Sequence, residues 1–492
     1  MPGNDSNQGQ AMAVELVEDR SFDYVPPSAR TGSLWSQTQL WFMINASFLT
    51  ASTGALGSLA GLGLRWSITA IVLGSVFGTL FQAFHGAQGP RMGLPQMIQS
   101  RAQFGTRGAV LPLVAATLVQ FGFAIFYVQT GAASIHVITT GISLPVLSLG
   151  VGVLALLVAT IGYQVVMRAE KTVSYLMLAA LVVLSVCAFT YLPIGDYLGV
   201  ADFGLAPFLL QFAASATFQI AVAPVVSDYT RYLPERISGW KVSATVFGGT
   251  LLSAIWIEIL GAILAIAYPD ASTVAGFDQL AANMSPVLAG VMMVVSLLTC
   301  LNAVAVAFYS GSIAFLTAVE GFRRFTSTFK VRAAAIVSLG SIAIFASLFV
   351  PENALNAFSV FLAILTYFLI PWTAVNLIDY YIVRRGILSI SDILKTDGGI
   401  YGRWGRSGMI SYTVGFIAMI PFFSTSVWIG PAAAAIGGAD FSFAVGLFVS
   451  GGLYLFLTRD FDRQAEYQLV ARSPINTIDT RVTATSSPVG GR

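Results

Sequence analysis

The stretch Pro207–Pro234 reads PFLLQFAASATFQIAVAPVVSDYTRYLP, and it decides the fold. It begins as an apolar run of small residues and then carries the polar side chains Ser215, Thr217 and Gln219 before Pro224. Because proline removes a backbone N–H and clashes with the preceding turn, a helix here kinks or breaks. In a bilayer, a broken helix needs protein or a water-filled cavity around its freed backbone groups. An ordinary membrane helix with a proline kink fits the stretch equally well, so both interpretations stay open.

The composition places the chain in a membrane. Hydrophobic residues make up 56% and charged residues 10% of its 492 residues, whereas soluble domains carry roughly 25% charge. The net charge of +2 gives no reason to expect nucleic acid as a partner. Cys187 and Cys300 lie in apolar runs, where we expect packing residues and neither a disulfide nor a metal site. The sequence carries none of the common catalytic motifs, so we expect neither an enzyme nor a bound cofactor.

Twelve apolar runs approach the ~20 residues that a membrane-spanning helix needs. They are predicted at about residues 35–57, 66–86, 109–139, 144–166, 172–193, 205–227, 242–268, 285–318, 332–350, 354–383, 408–429 and 439–458. The basic residues test this count, because cytoplasmic loops collect Lys and Arg. With the N-terminus inside, the inner loops and tails hold 24 of the 25 Lys and Arg residues, and only Arg65 lies on the other side. The sequence therefore predicts twelve spans with both termini in the cytoplasm.

The two ends of the chain are polar. Residues 1–33 lack the charged-then-apolar pattern of a signal peptide, so we expect a cytoplasmic tail and no cleaved leader. We expect disorder before Pro26, and again after Arg459, where residues 460–492 form a second cytoplasmic tail. The region between the tails, residues 34–459, is predicted to lie in the cytoplasmic (plasma) membrane as a multi-pass domain.

The first span, LWSQTQLWFMINASFLTASTGALG (34–57), is a second candidate for an unwound segment. It is crowded with Asn, Ser and Thr from Asn45 onward and ends in Gly54 and Gly57. Such residues compete with regular helix or loosen it. The alternative is a small-residue face for contact with a neighbouring helix.

The third span places Gln120, Phe123 and Tyr127 on one helical face. A carboxamide between aromatic rings suits a flat heterocycle, which needs stacking surfaces and in-plane hydrogen bonds. Core packing would account for the rings alone, but a polar amide in a span needs a partner.

Two other spans carry chemistry that a membrane helix seldom contains. Glu258 is the one carboxylate near the centre of a span, and it is either a proton-linked group or a structural acid bonded to the first or sixth span. In the eighth span Ser296, Thr299 and Asn302 are spaced by three residues along one slanted row. Their oxygens are of the kind that a hard monovalent cation needs.

The chain resembles the nucleobase:cation symporter family of purine/cytosine permeases, and the cytosine permeases in particular. The resemblance covers about residues 33–458. It is carried by GPRMGLPQMIQSRAQFG (89–105), VSDYTRYLP (226–234), NLIDYYIVRRG (376–386) and IYGRWG (400–405). Each motif alone is weak, whereas the four in this order are specific.

The resemblance implies an all-α integral membrane fold of twelve helices. Five helices (about 34–195) are related to the next five (about 205–384) by an inverted repeat, and two extra helices follow at about 408–458. The first and sixth spans are discontinuous in this family, which agrees with the two irregular segments described above.

The family pattern also implies a site near the membrane midplane. The predicted substrate residues are Asn45, Ala46, Gln120, Phe123, Tyr127, Phe218, Gln219 and Asn302, of which the resemblance implies Gln120, Phe123, Phe218 and Gln219. The cation residues it implies, for Na⁺ as the only metal, are Phe42, Asn45, Ser296, Thr299 and Asn302. The chain departs from the pattern in two places: Phe123 stands where members often have Trp, and the eighth span reads TCLNAVAVAFYSG (299–311) instead of an Asn-rich string.

The function that the resemblance implies is secondary active import of a nucleobase, cytosine or a purine, together with H⁺ or Na⁺ by alternating access. The expected partners are the heterocycle, the cation and the lipid bilayer, with neither nucleic acid nor an obligatory protein partner. One alternative is import of a related heterocycle such as allantoin, hydantoin, uracil or hydroxymethylpyrimidine. A passive facilitator or channel of the same fold is a second alternative, whereas a membrane enzyme or receptor is disfavoured by the missing motifs.

Overall fold

The computed structural model describes residues 24–478 except 140, 162, 201, 324–327 and 351–353, and the regular structure of these residues is helical. The α-helices are α1 (Leu34–Met43), α2 (Phe48–Leu59), α3 (Leu64–Gly86), α4 (Gly89–Met92), α5 (Gln96–Gln99), α6 (Arg101–Gly108), α7 (Val110–Ile138), α8 (Leu144–Ile161), α9 (Tyr163–Tyr191), α10 (Ile194–Gly199), α11 (Leu205–Ile220), α12 (Ala223–Thr230), α13 (Gly239–Ala267), α14 (Thr273–Ala282), α15 (Pro286–Glu320), α16 (Phe329–Ser347), α17 (Ala354–Ile378), α18 (Ile390–Ile393), α19 (Arg406–Met419), α20 (Pro431–Ala435), α21 (Ser442–Leu457) and α22 (Arg463–Ala471). A π-helical turn, Asp379–Val383, continues α17.

Eight of the described helical segments are long and apolar enough to cross a membrane. They are Leu64–Met92, Val110–Ile138, Thr172–Tyr191, Leu205–Thr230, Gly239–Ala267, Pro286–Glu320, Phe329–Ser347 and Ala354–Val383. Each coincides with a span predicted from the sequence. The other four predicted spans correspond to shorter helices, namely α1 with α2, α8, α19 and α21. The count of twelve therefore stays a prediction.

The first predicted span is interrupted between α1 and α2. Ser47 is extended (φ −154°, ψ 156°), and its hydroxyl accepts a hydrogen bond from the backbone N–H of Thr50 to cap α2. The buried amide of Asn45 donates to the Thr250 carbonyl at 3.0 Å and to Ser253 Oγ at 3.1 Å, both on α13. The polar residues that predicted an irregular segment thus cap one half-helix and anchor the interruption to a neighbour.

The second interruption, between α11 and α12, is shorter than the sequence suggests. Pro224 lies in the first turn of α12, so the carbonyl of Ile220 lacks the donor that residue 224 would otherwise supply. Ala221 and Val222 nevertheless keep right-handed helical dihedral angles. Phe218 and Gln219 lie inside the continuous helix α11. The discontinuity that the resemblance implies for the sixth span therefore does not include Phe218 and Gln219, and their side chains point in different directions.

Four helices around the interruptions touch through their backbones. A Cβ at Gly54 of α2 would lie 1.9 Å from the Glu258 carbonyl oxygen of α13, and one at Gly261 of α13 would lie 1.8 Å from the Ala51 carbonyl oxygen of α2. On α3, a Cβ at Gly78 would lie 2.1 Å from a carbonyl oxygen of α11. Small residues permit such close approach in membrane helices. As a result, α2, α3, α11 and α13 form one tightly packed group.

A second group forms around α7 and α15. Their contact is lined by small and branched side chains, among them Ala124, Val128 and Val304, with Phe308 at the centre. The helices α8 and α16 complete this core. The space between the two groups holds the candidate site.

Three of the sequence motifs meet in one buried polar network. The amide Nε2 of Gln96 lies 3.1 Å from Nδ1 of His85, and Ser227 Oγ donates to Gln96 Oε1 at 2.5 Å. Asn376 Nδ2 donates to Gln103 Oε1, in the first of these motifs, at 3.3 Å. The segments 89–105, 226–234 and 376–386 therefore belong together in space, which accounts for their joint presence in the sequence.

The C-terminal segment is folded where the sequence predicted disorder. Helix α22 follows Arg459, and Glu466 on it accepts from Arg384 Nε at 2.7 Å. Thr477 N donates to the Leu388 carbonyl at 3.1 Å. The expectation of a disordered tail is wrong over residues 463–478, because these contacts join residues about 80 positions apart and leave no local signal. The tail predictions for residues 1–23 and 479–492 lie outside the described residues.

Candidate functional site

A cavity of about 460 Å³ lies between the two helix groups, beside both interruptions. Its walls come from the α1–α2 link, α7, the α11–α12 region, α15 and the first half of the described part of α9. Eight residues predicted from the sequence line it: Asn45, Ala46, Gln120, Phe123, Tyr127, Phe218, Thr299 and Asn302. These residues come from four separate spans, and the fold brings them to one place.

Two side-chain amides on facing helices line this cavity. Gln120 on α7 and Asn302 on α15 are both partly exposed to the cavity. The backbone of α15 comes close to Gln120 at Gly311, where a Cβ would lie 3.0 Å from the Gln120 Cβ. Each amide can donate and accept hydrogen bonds in one plane. Gly311 lies nine residues after Asn302, about 14 Å along α15, so the two amides border the cavity at different levels, and either one suits the edge of a flat polar heterocycle.

Aromatic rings close one end of the cavity. Phe123 meets Phe218 edge-on, with ring centroids 5.4 Å apart and planes at 90°. Phe361 packs against Phe123 at 5.2 Å, and Phe126 packs against Phe358 at 5.0 Å. We call these five phenylalanines the aromatic cluster. Phe123 is partly exposed and Phe218 is 4% exposed, so Phe123 offers the larger stacking surface to the cavity.

A second cavity of about 300 Å³ borders the hydrophobic core that surrounds the aromatic cluster. Ala214 and Leu362 belong to that core and also line the second cavity, which lies between α11, α17 and the link from α19 to α21. The aromatic cluster therefore separates two cavities along α11.

The larger cavity extends away from the aromatic cluster toward polar residues that the sequence reasoning missed. Ser36 and Gln39 on α1, Tyr229 on α12 and Ser310 on α15 line this extension. Ser36 and Gln39 lie one helical turn apart, a spacing in the first span that could have revealed a polar face. The extension lies toward the helix ends that the Lys and Arg pattern assigns to the cytoplasm.

Gln219 and Glu258 do not line the cavity. Since neighbouring residues on a helix point about 100° apart, Gln219 turns away from Phe218 and toward α13. There its Nε2 lies 3.4 Å from Glu258 Oε1, and Ser215 Oγ donates a short hydrogen bond to Glu258 Oε2. The structure thus places Gln219 in a buried network with Glu258, and its predicted role in substrate binding has no support from the geometry.

The residues predicted to hold a cation are only partly brought together. Asn45, Thr299 and Asn302 line the cavity, whereas Phe42 and Ser296 do not. The ring of Phe42 packs near Trp256 of α13, and Ser296 Oγ accepts from Ser134 Oγ at 2.9 Å. Among the described residues, no group of His, Cys, Asp and Glu could hold a metal ion.

Comparison with known families decides what kind of protein this is. Residues 24–446 match the model of a family described as permeases for cytosine/purines, uracil, thiamine and allantoin. The chain belongs to this permease family. Its relatives are transporters and not enzymes, and it is a membrane-embedded protein that carries a small molecule.

Two related sequences align with the permease almost end to end. YxlA of Bacillus subtilis, a purine-cytosine permease by name, is 33% identical over 92% of this chain and 98% of its own. The purine-cytosine permease fcyB of Emericella nidulans is 24% identical over 91% of this chain and 90% of its own.

Solved structures show the same fold. The inward-facing conformation of Mhp1 matches with a TM-score of 0.73 and 16% identity, over 93% of this permease and 98% of Mhp1. Mhp1 is a nucleobase-cation-symport-1 transporter, and its closed conformation with bromovinylhydantoin bound matches with a TM-score of 0.72, over 92% of this permease and 100% of Mhp1. At this identity the likeness concerns the fold alone, which is that of a helical membrane transporter.

Proposed function

We propose that this permease imports a nucleobase, cytosine or a purine, together with H⁺ or Na⁺ by alternating access. The observation that carries the proposal is the cavity at the two helix interruptions, which is lined by the amides of Gln120 and Asn302 and by the rings of Phe123 and Phe218. A nucleobase has a flat face for stacking and an edge of donors and acceptors. The names of YxlA and fcyB support the same class of substrate.

The finer architecture belongs to the same proposal. It comprises twelve spans, a five-plus-five inverted repeat with two extra helices, and both termini on the cytoplasmic side of the plasma membrane. Interrupted first and sixth spans are a common way to build a midplane site in such transporters. On this orientation the larger cavity faces the cytoplasm, and the aromatic cluster blocks the path to the outer surface.

Uptake in cells that lack other nucleobase carriers tests the proposal. We expect labelled cytosine or adenine to accumulate above its outside concentration and to leak back when an ionophore collapses the ion gradients. A facilitator or channel would equilibrate the label without accumulating it. Competition by unlabelled heterocycles tests the alternative substrates, namely allantoin, hydantoin, uracil and hydroxymethylpyrimidine. If one of them displaces the label better than unlabelled nucleobases do, that heterocycle is the substrate.

Gln120 gives the sharpest test of the site. Gln120→Ala removes the amide while leaving the aromatic cluster in place. An unpaired polar partner in a closed site costs about 1–3 kcal/mol, which is roughly 5–150-fold in apparent affinity. Gln39→Ala is the matched control, because Gln39 lines the same cavity near its polar end, away from the rings. Unchanged affinity in well-expressed Gln120→Ala would remove Gln120 from the site.

A further inference from the structure

Glu258 stands apart from the other buried acids of the described residues. Its side chain is fully buried in the middle of α13. Asp379, which is equally buried, forms an ion pair with Arg384, and Asp392 forms one with Lys395. The hydrogen-bond partners of Glu258 are neutral, namely the hydroxyl of Ser215 and the amide of Gln219. An ionised carboxylate buried with neutral partners alone is costly, whereas a neutral carboxylic acid fits such a place.

The titratable groups on the helices packed against α13 lie away from this carboxyl. Helices α1, α2 and α11 carry none. The groups on α3, α14, α10 and the described part of α9 are Arg65, His85, Asp278, Asp196, Tyr197, Tyr175, Cys187 and Tyr191. On α3, a Cβ at Gly74 would lie 3.0 Å from the Cβ of Ser215, which bonds to Glu258. Gly74 therefore marks the level of Glu258 along the helix α3. Arg65 and His85 lie nine and eleven residues from Gly74, about 14 and 17 Å along the helix.

The hydrogen bonds of Glu258 reach both interrupted spans. Ser215 Oγ, which donates to Glu258, accepts from Gln211 Nε2 at 2.9 Å. The same Gln211 accepts at Oε1 from the backbone N–H of Gly57 on α2, at 2.7 Å. Gln219, the other partner of Glu258, directly follows Phe218 of the aromatic cluster. A change in the charge of Glu258 therefore acts on the half-helix α2, which follows the first interruption, and on α11, which precedes the second.

Buried polar side chains with unpartnered atoms occur both beside Glu258 and beside the cavity. Side-chain atoms without a protein partner among the described residues occur on four neighbouring elements: Gln219 Oε1, Thr250 Oγ1, Asn45 Oδ1, Thr79 Oγ1 and both amide atoms of Gln82. Thr250 lies two turns before Glu258 on the same face of α13, about 12 Å away, and Asn45, whose amide donates to the Thr250 carbonyl, lines the cavity. Buried polar groups of this kind bind water.

We propose that the coupling ion of this transporter is a proton, that Glu258 binds it, and that water along Gln219, Gln82 and Thr250 connects Glu258 with the cavity at Asn45. The inference rests on the proposed function. The carboxylate takes up a proton from outside water when the protein is open outward. The carboxylic acid gives that proton to water in the cavity when the protein is open inward. One proton moves per nucleobase, and the carboxylate is restored at the end of the cycle.

Reconstituted liposomes with labelled nucleobase and a trapped pH dye test this assignment. In the parent protein, an inward gradient of one pH unit without Na⁺ drives about tenfold accumulation at one proton per substrate, and adding substrate acidifies the lumen. Glu258→Gln keeps the size and neutral hydrogen bonds of a carboxylic acid but carries no proton. We expect it to exchange labelled for unlabelled nucleobase without accumulating label and without acidifying the lumen.

Several results would overturn the assignment. A Glu258→Gln protein that accumulates substrate and acidifies the lumen as the parent does removes Glu258 from the coupling. Should this variant fail to fold, the parent still decides the coupling ion, because accumulation that follows a Na⁺ gradient and ignores the pH gradient rules out a proton. Ser215→Ala then tests Glu258: it removes a hydrogen bond to that carboxyl and should shift the pH at which accumulation is half-maximal, whereas an unchanged pH profile contradicts the role of Glu258. If the parent protein exchanges nucleobases but shows no pH-driven accumulation, the proton assignment is wrong and the proposed substrate class still holds. If the parent protein transports no heterocycle, both the proposed function and the proton assignment are wrong. Asp278→Asn, which alters a half-buried acid on the adjacent helix α14, is the matched control and should behave as the parent does.

Discussion

Asp379, at the end of α17, offers the most quantitative prediction from the structure. Its buried carboxylate accepts hydrogen bonds from Gln103 Nε2 at 2.7 Å and from Tyr454 OH at 2.6 Å, and it forms a close ion pair with Arg384. Removing one member of a buried pair costs about 3–5 kcal/mol. Arg384 keeps its contact with Glu466, so Asp379→Asn should lie near the lower value. At about 3 kcal/mol, the equilibrium between folded and unfolded protein shifts roughly 150-fold.

Thermal unfolding of the purified protein in detergent, at one fixed heating rate, measures this loss. Asp379→Asn should lower the midpoint by several degrees. Tyr454→Phe keeps the ion pair and removes one hydrogen bond to a charged group, worth about 1.5–3 kcal/mol, so its decrease should be smaller. Glu466→Gln, at the more exposed end of the network, should have the smallest effect of the three. If Asp379→Asn unfolds at the parent's midpoint, or above that of Tyr454→Phe, the ion pair does not stabilise this end of α17.

Two further predictions concern the rings and the orientation. Phe218→Trp should retain much of the nucleobase affinity, because a larger ring still offers a stacking face, whereas Phe218→Leu should lose most of it. If Phe218→Leu takes up and selects nucleobases as the parent does, Phe218 serves packing alone. In a cysteine-free background, single cysteines at the exposed positions Asp270 and Ser426 should react with an impermeant thiol reagent added to intact cells, and ones at Ser238 and Arg472 should not. The reverse labelling pattern would contradict the proposed placement of the termini in the cytoplasm.

Many residues of the cavity could be predicted because their positions depend on the local sequence. Gln120, Phe123 and Tyr127 share one face by helical spacing alone, and a regular helix preserves that spacing. The interruption near Asn45 follows from polar and small residues that cap a half-helix and bond to a neighbour. Such features depend on a few adjacent residues, which a single sequence displays.

The parts that could not be predicted depend on rotation and on distant contacts. Gln219 faces α13 because α11 stays helical up to Ile220, and the position of Pro224 does not reveal where the backbone first departs from the helix. Ser296 bonds to Ser134, which is 162 residues away in sequence. The docking of Thr477 against Leu388 is equally non-local. Neither hydropathy nor motif spacing carries information about such pairings.

The aromatic cluster also bears on how tightly the membrane stays sealed. Among its five rings, six pairs lie within contact distance. Edge-to-face and tilted pairs contribute about 0.5–1.5 kcal/mol each beyond the area they bury, so parting three of them costs on the order of 3 kcal/mol. While its cavity is open to the cytoplasm, an empty carrier would then also be open across the cluster for less than about one part in a hundred of the time. A cell could keep many copies of this permease in its membrane with little leakage of ions and metabolites through idle ones.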